Sequence, residues 1–183
     1  MATTSFLTID DFERLPDEHA KNHELIDGEL VDVSERTLGH NALRDLLMQT
    51  LTNAVREGRL GRVISEQDYD FGGNAHGPDV SFFSAAKAPL IAWNKRVQPF
   101  VPDLAIEIVS ENDTFRSLMQ KRQRYLDCGT REVWIIAPDT REIYIYAEIY
   151  AERRNRILRE NDVLRTDQIP GFSITVSELF QRL

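Results

Sequence analysis

Apolar residues recur along the chain at two different spacings, and each spacing predicts a type of element. Where they lie three or four positions apart they form one face of a helix; the longest such segment, 38–57, ends at Gly58. The same spacing recurs over 114–127. Short helices are predicted after Thr8, as an N-cap, and over 177–183, with Ser177 as the N-cap.

Other segments have the composition and the boundaries of β-strands. Asp27-Gly28 lies between two apolar runs and predicts a hairpin over 23–34. Residues 104–109 are apolar on both faces except for one position, which is typical of a central strand. Further strands are predicted at 62–71, 78–84, 132–137 and 142–147, with edge strands at 156–159 and 173–176. Residues 84–98 lack periodicity and are expected to form a surface loop.

This order of elements predicts an α/β or α+β fold around a mixed sheet. The chain has 183 residues, the size of one domain, and we find no internal repeat or low-complexity linker. Hydrophobic residues make up 42% and charged residues 28%, a globular balance. No apolar run approaches the roughly 18 residues of a membrane span, and no secretory signal is recognisable, so we expect a soluble protein of the cytoplasm. The single cysteine, Cys128, excludes an internal disulfide and zinc sites built on cysteine pairs.

The charge of the chain restricts its partners. Twenty-two basic against thirty acidic residues give a net charge of −8, which argues against general adhesion to nucleic acid. A local basic surface remains compatible with this charge, since arginine and lysine cluster over 116–124 and again over 153–159.

Glu107 is the most informative single residue. It interrupts the apolar strand 104–109, on the face it shares with Ala105 and Val109. A buried carboxylate costs several kcal/mol unless it is neutralised, paired or bound to a metal. A structural salt bridge to an arginine is the alternative to a functional role.

Asp79 and Lys121 are the candidate partners of Glu107. Asp79 follows Pro78 at the start of a predicted strand, where it serves either a turn or, if this strand pairs with that of Glu107, a shared divalent cation. Lys121 lies on the apolar stripe of the helix over 114–127. Its ammonium either extends to solvent or points at the two carboxylates, where it would orient a water or offset charge on a phosphate.

The order of these residues resembles the PD-(D/E)XK restriction-endonuclease-like superfamily and, within it, bacterial endonuclease-like proteins of the Uma2 type. The resemblance runs from about His23 to Tyr146. The segments that carry it are 24–31 (ELIDGELV), His40, 78–80 (PDV), 102–110 (PDLAIEIVS) and the pattern Lys121, Tyr125, Gly129, Val133-Trp134. It implies a single domain over 1–183, with a nuclease core at about 23–147 in which helices flank a central mixed β-sheet.

The resemblance also implies roles for individual residues. Asp79, Glu107 and the main-chain carbonyl of Ile108 match the ligands of Mg²⁺ or Mn²⁺. Lys121 matches the lysine of the family, displaced from the strand to the next helix, because Val109 occupies the usual position. Glu24 matches a further acidic residue of the family near the metal, and His40 matches the histidine of the family at the start of a helix. The alternatives are that Glu24 is merely solvated and that His40 is a histidine at the boundary of the core.

Two positions depart from the family pattern. An arginine often precedes the Pro-Asp pair, where this chain has 74–77 (NAHG), and the usual tyrosine before the first glutamate is His23. We expect both changes to affect substrate contacts more than chemistry. Asp103 is not expected to replace Asp79, because four strand residues, about 13 Å, separate it from Glu107.

The sequence therefore predicts a metal-dependent endonuclease that hydrolyses phosphodiester bonds, with DNA as the substrate implied by the resemblance. A homodimer is expected, since palindromic cutting requires two sites. Two alternatives remain open at this point. One is a catalytically inactive nuclease fold kept for protein interaction, and the other is a phosphohydrolase that acts on small nucleotides.

Overall fold

Two mixed β-sheets and two long helices form the frame of the protein. The computed structural model describes residues 6–33, 37–111, 113–149 and 152–181. The helices are α1 (Ile9–Arg14), α2 (Asp17–Ala20), α3 (Leu38–Gly58), α4 (Phe115–Asp127) and α5 (Val176–Phe180), with a 3₁₀ helix at Ala85–Leu90. The strands are β1 (His23–Ile26), β2 (Glu29–Asp32), β3 (Gly61–Ser65), β4 (Asp68–Asp70), β5 (Ala75–His76), β6 (Val80–Ser84), β7 (Val97–Gln98), β8 (Leu104–Ile108), β9 (Glu132–Ala137), β10 (Glu142–Ile149), β11 (Glu152–Leu158), β12 (Val163–Leu164) and β13 (Ile174–Thr175).

The larger sheet contains six strands in the order β11-β10-β9-β8-β6-β3. Its neighbouring strands are antiparallel except for β8 and β9, which are parallel and are connected through α4. Every residue of β8 is buried, and the strand lies between β9 and β6 in the interior of the sheet. The predicted central strand is thereby confirmed.

Helices cover both faces of this sheet. On one face, Leu51 of α3 belongs to a buried cluster that includes Ile106 of β8. On the other face, Tyr125 of α4 packs in a second buried cluster with Ala105. Because side chains alternate between the faces of a strand, Glu107 lies on the same face as Ala105 and faces α4.

The smaller sheet has the order β2-β1-β5-β4-β7 and is also mixed, because β4 and β7 are parallel. Helix α1 covers it, and Phe12 forms a third buried cluster with Leu25 and Ala75. Thr8 caps α1 as predicted: its side chain accepts the N–H of Asp11, whose carboxylate accepts the N–H of Thr8 in return.

The predicted fold class is confirmed as a mixed α+β architecture whose sheets are flanked by helices. The predicted hairpin is present as β1 and β2, with Ile26 opposite Glu29 across the turn; its last predicted residue, Ser34, lies outside the described residues. No helix in the described ranges combines the length and the hydropathy needed to traverse a lipid bilayer.

Three predicted boundaries in the first half of the chain were wrong. The strand predicted at 62–71 is divided into β3 and β4, because Glu66 adopts a left-handed conformation with φ of 54° and interrupts the ladder. The loop predicted at 84–98 contains the 3₁₀ helix and β7. Helix α3 includes Gly58, and the left-handed residue that ends it is Arg59.

The last third of the chain also differs from the prediction. Residues 173–176 do not extend the central sheet, since β13 pairs with β12 in a separate two-stranded sheet. Strand β11 begins at Glu152, four residues before the predicted edge strand. Helix α5 is capped by Thr175 rather than Ser177, because the Thr175 side chain accepts the N–H of Glu178; residues 182–183 lie outside the described residues.

Two leucines of α3 provide a test of the packing against the sheet. Leu51 is fully buried, whereas Leu38 is 86% exposed at the first residue of the same helix. We expect Leu51→Ala to lower the free energy of unfolding by about 2–5 kcal/mol through lost apolar burial and a cavity, and Leu38→Ala to change it by less than about 0.5 kcal/mol. Urea unfolding measures both, and equal effects would contradict this placement of α3.

Candidate active site

Two acidic residues meet near the start of β6 and the end of β8. The strands are antiparallel, with Val80 opposite Ile106, and the same register one residue further on brings Asp79 next to Glu107. Both residues are almost completely buried, with exposed fractions of 6% and 7%. The convergence of the two carboxylates, on which the predicted site depends, is therefore present.

A cleft of about 560 Å³ opens above this pair. Its walls come from the β1–β2 hairpin, the start of α3, the end of β8 and the first half of α4. All the residues that the sequence singled out belong to its lining: Glu24, His40, Asp79, Glu107, Ile108 and Lys121. Their roles in metal binding and catalysis stay predictions, but the fold does bring them together.

The Glu107 carboxylate has two polar contacts with α4. The Tyr125 hydroxyl donates a hydrogen bond of 2.6 Å to Glu107 Oε1, and Lys121 Nζ lies 3.4 Å from Oε2. The cation beside Glu107 is thus the predicted lysine and not the arginine of the structural alternative. One turn of α4 separates Lys121 from Tyr125, so both side chains reach β8 from the same face of the helix.

The environment of Glu107 disfavours its ionised form. Burial raises the pKa of Glu107 to about 8, and the neighbouring carboxylates of Asp79 and Glu24 contribute in the same direction. The Lys121 ammonium and the Tyr125 hydroxyl oppose this rise without cancelling it. Near neutral pH the carboxyl group therefore retains a proton unless a further cation approaches it.

Asp79 is fixed by the main chain of the neighbouring strand and by α3. Its Oδ2 accepts the N–H of Ile108 at 2.7 Å, and His40 Nε2 lies 3.3 Å from the same oxygen. Thr37 caps α3 and accepts the N–H of His40, which places the histidine at the start of the helix. The His40 ring thus links the first turn of α3 to the acidic pair.

Lys121 is shared between two carboxylates. Its Nζ lies 3.0 Å from Glu24 Oε1, in addition to its contact with Glu107. Burial works against the charged ammonium, but the attraction of Glu107 and Glu24 outweighs it and holds the pKa of Lys121 above its ordinary value. Lys121 is therefore a permanent cation that faces the acidic pair and does not extend to solvent.

Glu24 is an ionised carboxylate held by three donors. Besides Lys121, these are the His76 ring at 2.9 Å from Oε2 and the Gly77 N–H at 3.1 Å from Oε1. Burial favours the neutral acid, yet Lys121 and His76 lower the pKa of Glu24 to about 2. The alternative of a merely solvated Glu24 is wrong, because the residue is only 2% exposed.

The sequence did not identify two of the polar contacts. Tyr125 was assigned to the apolar face of α4, although the four-residue spacing to Lys121 was a usable signal for a shared target. His76 was noted only as part of a departure from a family pattern, and no local signal connects it to Glu24, 52 residues away. Asp103, which was not expected to replace Asp79, is absent from the cleft lining; it accepts the N–H of Ser84 at 2.7 Å and pairs with Lys87 at 2.9 Å.

The donor set at the cleft fits a hard divalent cation. Three carboxylates, those of Glu24, Asp79 and Glu107, face one lysine, so the fully ionised group carries excess negative charge. Within the described ranges, no three His, Cys, Asp or Glu side chains form a ready-made metal cage. Mg²⁺ rarely needs one, since it is usually bound by one or two carboxylates and keeps several waters. Asp79, Glu107 and the carbonyl of Ile108 stay the predicted ligands of such an ion.

Comparisons with known proteins relate the chain to a family of nucleases. The model of a family described as "Uma2: Putative restriction endonuclease" matches residues 9–177. A crystal structure described as a putative nuclease belonging to DUF820, from Anabaena variabilis ATCC 29413, has the same fold, with a TM-score of 0.83 and 22% sequence identity over 96% of this chain and 98% of that one. No curated protein matches the chain significantly.

The raised pKa of Glu107 predicts a pH-dependent stability. Between about pH 5 and pH 8 an unfolded glutamate has lost its proton while folded Glu107 retains it, so this residue lowers the free energy of unfolding as the pH rises. Glu107→Gln cannot ionise, and its amide oxygen still accepts from Tyr125. We expect this variant to gain stability over the parent as the pH rises from 5 to 8.

Urea unfolding at several pH values between these limits measures the difference. Glu57→Gln, at an exposed position of α3, is the control and should follow the parent across the range. A constant offset between Glu107→Gln and the parent would contradict the assignment.

Proposed function

The chain belongs to the Uma2 family, described as putative restriction endonucleases, and from this premise we propose that it is a metal-dependent endonuclease that hydrolyses phosphodiester bonds in DNA. The observation that carries the proposal is the cleft in which Asp79, Glu107 and Lys121 lie together. Carboxylates that bind a divalent ion, beside a lysine that faces the same space, are groups that can carry out phosphodiester hydrolysis.

The metal would be Mg²⁺ or Mn²⁺, held by the carboxylates of Asp79 and Glu107 and by the carbonyl of Ile108. When bound, such an ion lowers the pKa of a coordinated water and offsets the negative charge of a reacting phosphate. The protein contributes the alignment of the two carboxylates. Asp79 is held by the Ile108 N–H and Glu107 by the Tyr125 hydroxyl, so neither must reorganise to receive the cation.

Lys121 orients the nucleophile in this proposal. An ammonium group has three N–H donors, and the contacts with Glu24 and Glu107 use two of them. The third is directed at a ligand in the cleft, either the attacking water or a phosphate oxygen. We assign Glu24 to holding Lys121, because Lys121, His76 and Gly77 together contact both of its oxygens.

We propose DNA as the substrate because of the family. We propose a homodimer as the active form because two sites are needed to cut both strands of a palindrome. We further propose that residues 1–183 act as one domain in the cytoplasm, with the nuclease core at 23–147. The acidic chain, of net charge −8, predicts weak binding of DNA without the metal.

Substitution of the carboxylates tests the metal site. We expect the parent to cleave plasmid DNA with Mg²⁺ or Mn²⁺, and Asp79→Asn and Glu107→Gln each to lower the rate roughly 100-fold or more and to weaken metal binding in calorimetry. Glu132→Gln is the matched control: Glu132 is also buried, but its carboxylate accepts from Trp134 and Thr166 and lies outside the cleft lining.

The outcomes separate the competing functions. Cleavage that survives both substitutions would contradict the proposed site. A parent protein that neither cuts DNA nor binds metal would favour the inactive module for protein interaction. Turnover of model phosphodiesters without affinity for DNA would favour the phosphohydrolase of small nucleotides.

Lys121→Gln separates catalysis from metal binding. The substitution removes a cation that competes with the metal, so we expect metal affinity to be unchanged or higher, while kcat falls roughly 100-fold or more. Lys87→Gln is the matched control, because Lys87 is also a partly buried lysine paired with a carboxylate, that of Asp103, away from the cleft. Loss of metal binding in Lys121→Gln, with the fold intact by circular dichroism, would contradict the role given to the lysine.

A further inference from the structure

A line of polar contacts extends from the candidate site to the protein surface. The guanidinium of Arg124, on α4, contacts both carboxylate oxygens of Asp27 at 2.9 and 3.1 Å. Asp27 lies in the turn of the β1–β2 hairpin and is largely exposed. Another nitrogen of the same guanidinium lies 3.1 Å from His76 Nε2, and His76 in turn contacts Glu24.

Arg124 determines which nitrogen of His76 carries the proton. A guanidinium has donors only and does not lose its proton in proteins, so His76 Nε2 must act as an acceptor. Burial, together with the charges of Lys121 and Arg124, lowers the pKa of His76 and outweighs the pull of Glu24 towards the charged form. The ring is then neutral with its proton on Nδ1, which donates to Glu24 Oε2.

The position of Glu24 depends on this donor. Its Oε1 accepts from Gly77 and Lys121, while the His76 ring is the donor described for Oε2. If the proton moved to Nε2, two unshared electron pairs would face each other at His76 Nδ1 and Glu24. The buried carboxylate would rotate away, and Lys121 would follow it.

We propose that His76 and Arg124 are positioning residues of the cleft: Arg124 fixes the tautomer of His76 that donates to Glu24, and Glu24 thereby holds the Lys121 ammonium beside Glu107. The proposal rests on the proposed function in that it assigns these residues an effect on catalysis. The hydrogen-bond direction itself can be measured on the metal-free protein without any cleavage.

A purely structural role for His76 is the competing interpretation. The ring contacts Phe71 and Tyr125, with centroids 5.9 and 5.7 Å away, and any substitution removes these contacts. Asparagine and glutamine separate the two roles. The asparagine amide nitrogen replaces Nδ1 and preserves the donor to Glu24, whereas the glutamine amide reaches the position of Nε2 and preserves only the contact with Arg124.

The kinetic test compares His76→Asn with His76→Gln. We expect His76→Gln to lower kcat roughly 10- to 100-fold, the range found for residues that orient a catalytic group, with KM within about threefold of the parent. His76→Asn should recover kcat to within about threefold of the parent. Equal losses in the two variants would assign His76 a structural role and overturn the proposal.

Nuclear magnetic resonance provides the readout that does not depend on cleavage. Correlation of the ring nitrogens with the ring protons at pH 7 should show protonated Nδ1 and unprotonated Nε2 in the parent. Arg124→Gln should allow Nε2 to take up a proton in part of the molecules, because the glutamine oxygen can accept where the guanidinium only donates. Arg131→Gln, an exposed arginine paired with Asp103, is the control and should retain the parent tautomer.

The Lys121 ammonium signal completes the test. It should shift in His76→Gln and remain near its parent position in His76→Asn. A parent His76 protonated on Nε2, or a Lys121 signal that responds equally to both substitutions, would overturn the proposal even if the protein cleaves DNA. If no cleavage is found but these signals behave as expected, the proposed function fails while the hydrogen-bond chain stands.

Discussion

The burial of one carboxyl group in the central strand is the constraint on which the site depends. Glu107 is almost inaccessible to water and has two other carboxylates as neighbours, so its ionised form is stable only with help from cations. The protein supplies one, Lys121, and divides it between Glu107 and Glu24. Burial, together with the two neighbouring carboxylates, still keeps the pKa of Glu107 high. In the proposed function, a divalent cation would supply the positive charge that this carboxyl group still lacks.

The architecture produces this arrangement through three geometric facts. Alternation along β8 directs Glu107 towards α4, away from the apolar cluster under α3. The antiparallel register of β6 and β8 brings Asp79 alongside. The crossover from β8 to parallel β9 runs through α4 and lays Lys121 and Tyr125 over the strand that carries the glutamate. Each fact concerns the central sheet, whose inner strand β8 is buried at every residue.

The sequence predicted the parts of the site that leave a local trace. Glu107 is a single acid in an apolar strand, and Lys121 is a lysine on the apolar stripe of a helix. Both were identified because a charged residue is unusual at such a position. His76 contacts Glu24 and Arg124, which lie 52 and 48 residues away along the chain. The sequence around His76 carries no signal of either contact. The same limit explains the boundaries that were wrong. The run 62–71 is divided into two strands by the left-handed conformation of Glu66. A glutamate side chain does not predict that conformation.

The negative charge of the cleft means that the proposed metal would also affect the binding of the substrate. Five of the lining residues are acidic, including Asp32 and Asp113 near the opening, and Lys121 is the lysine among them. A phosphodiester is repelled by such a surface, and a divalent cation between Asp79 and Glu107 would offset this negative charge where the phosphate would bind. Cation and nucleic acid must then each raise the affinity for the other, because coupling between two ligands is reciprocal. In the proposed function, the contact of Lys121 with Glu24, shorter than that with Glu107 at 3.0 against 3.4 Å, would support this coupling. It would hold the ammonium in the cleft while Glu107 receives the metal.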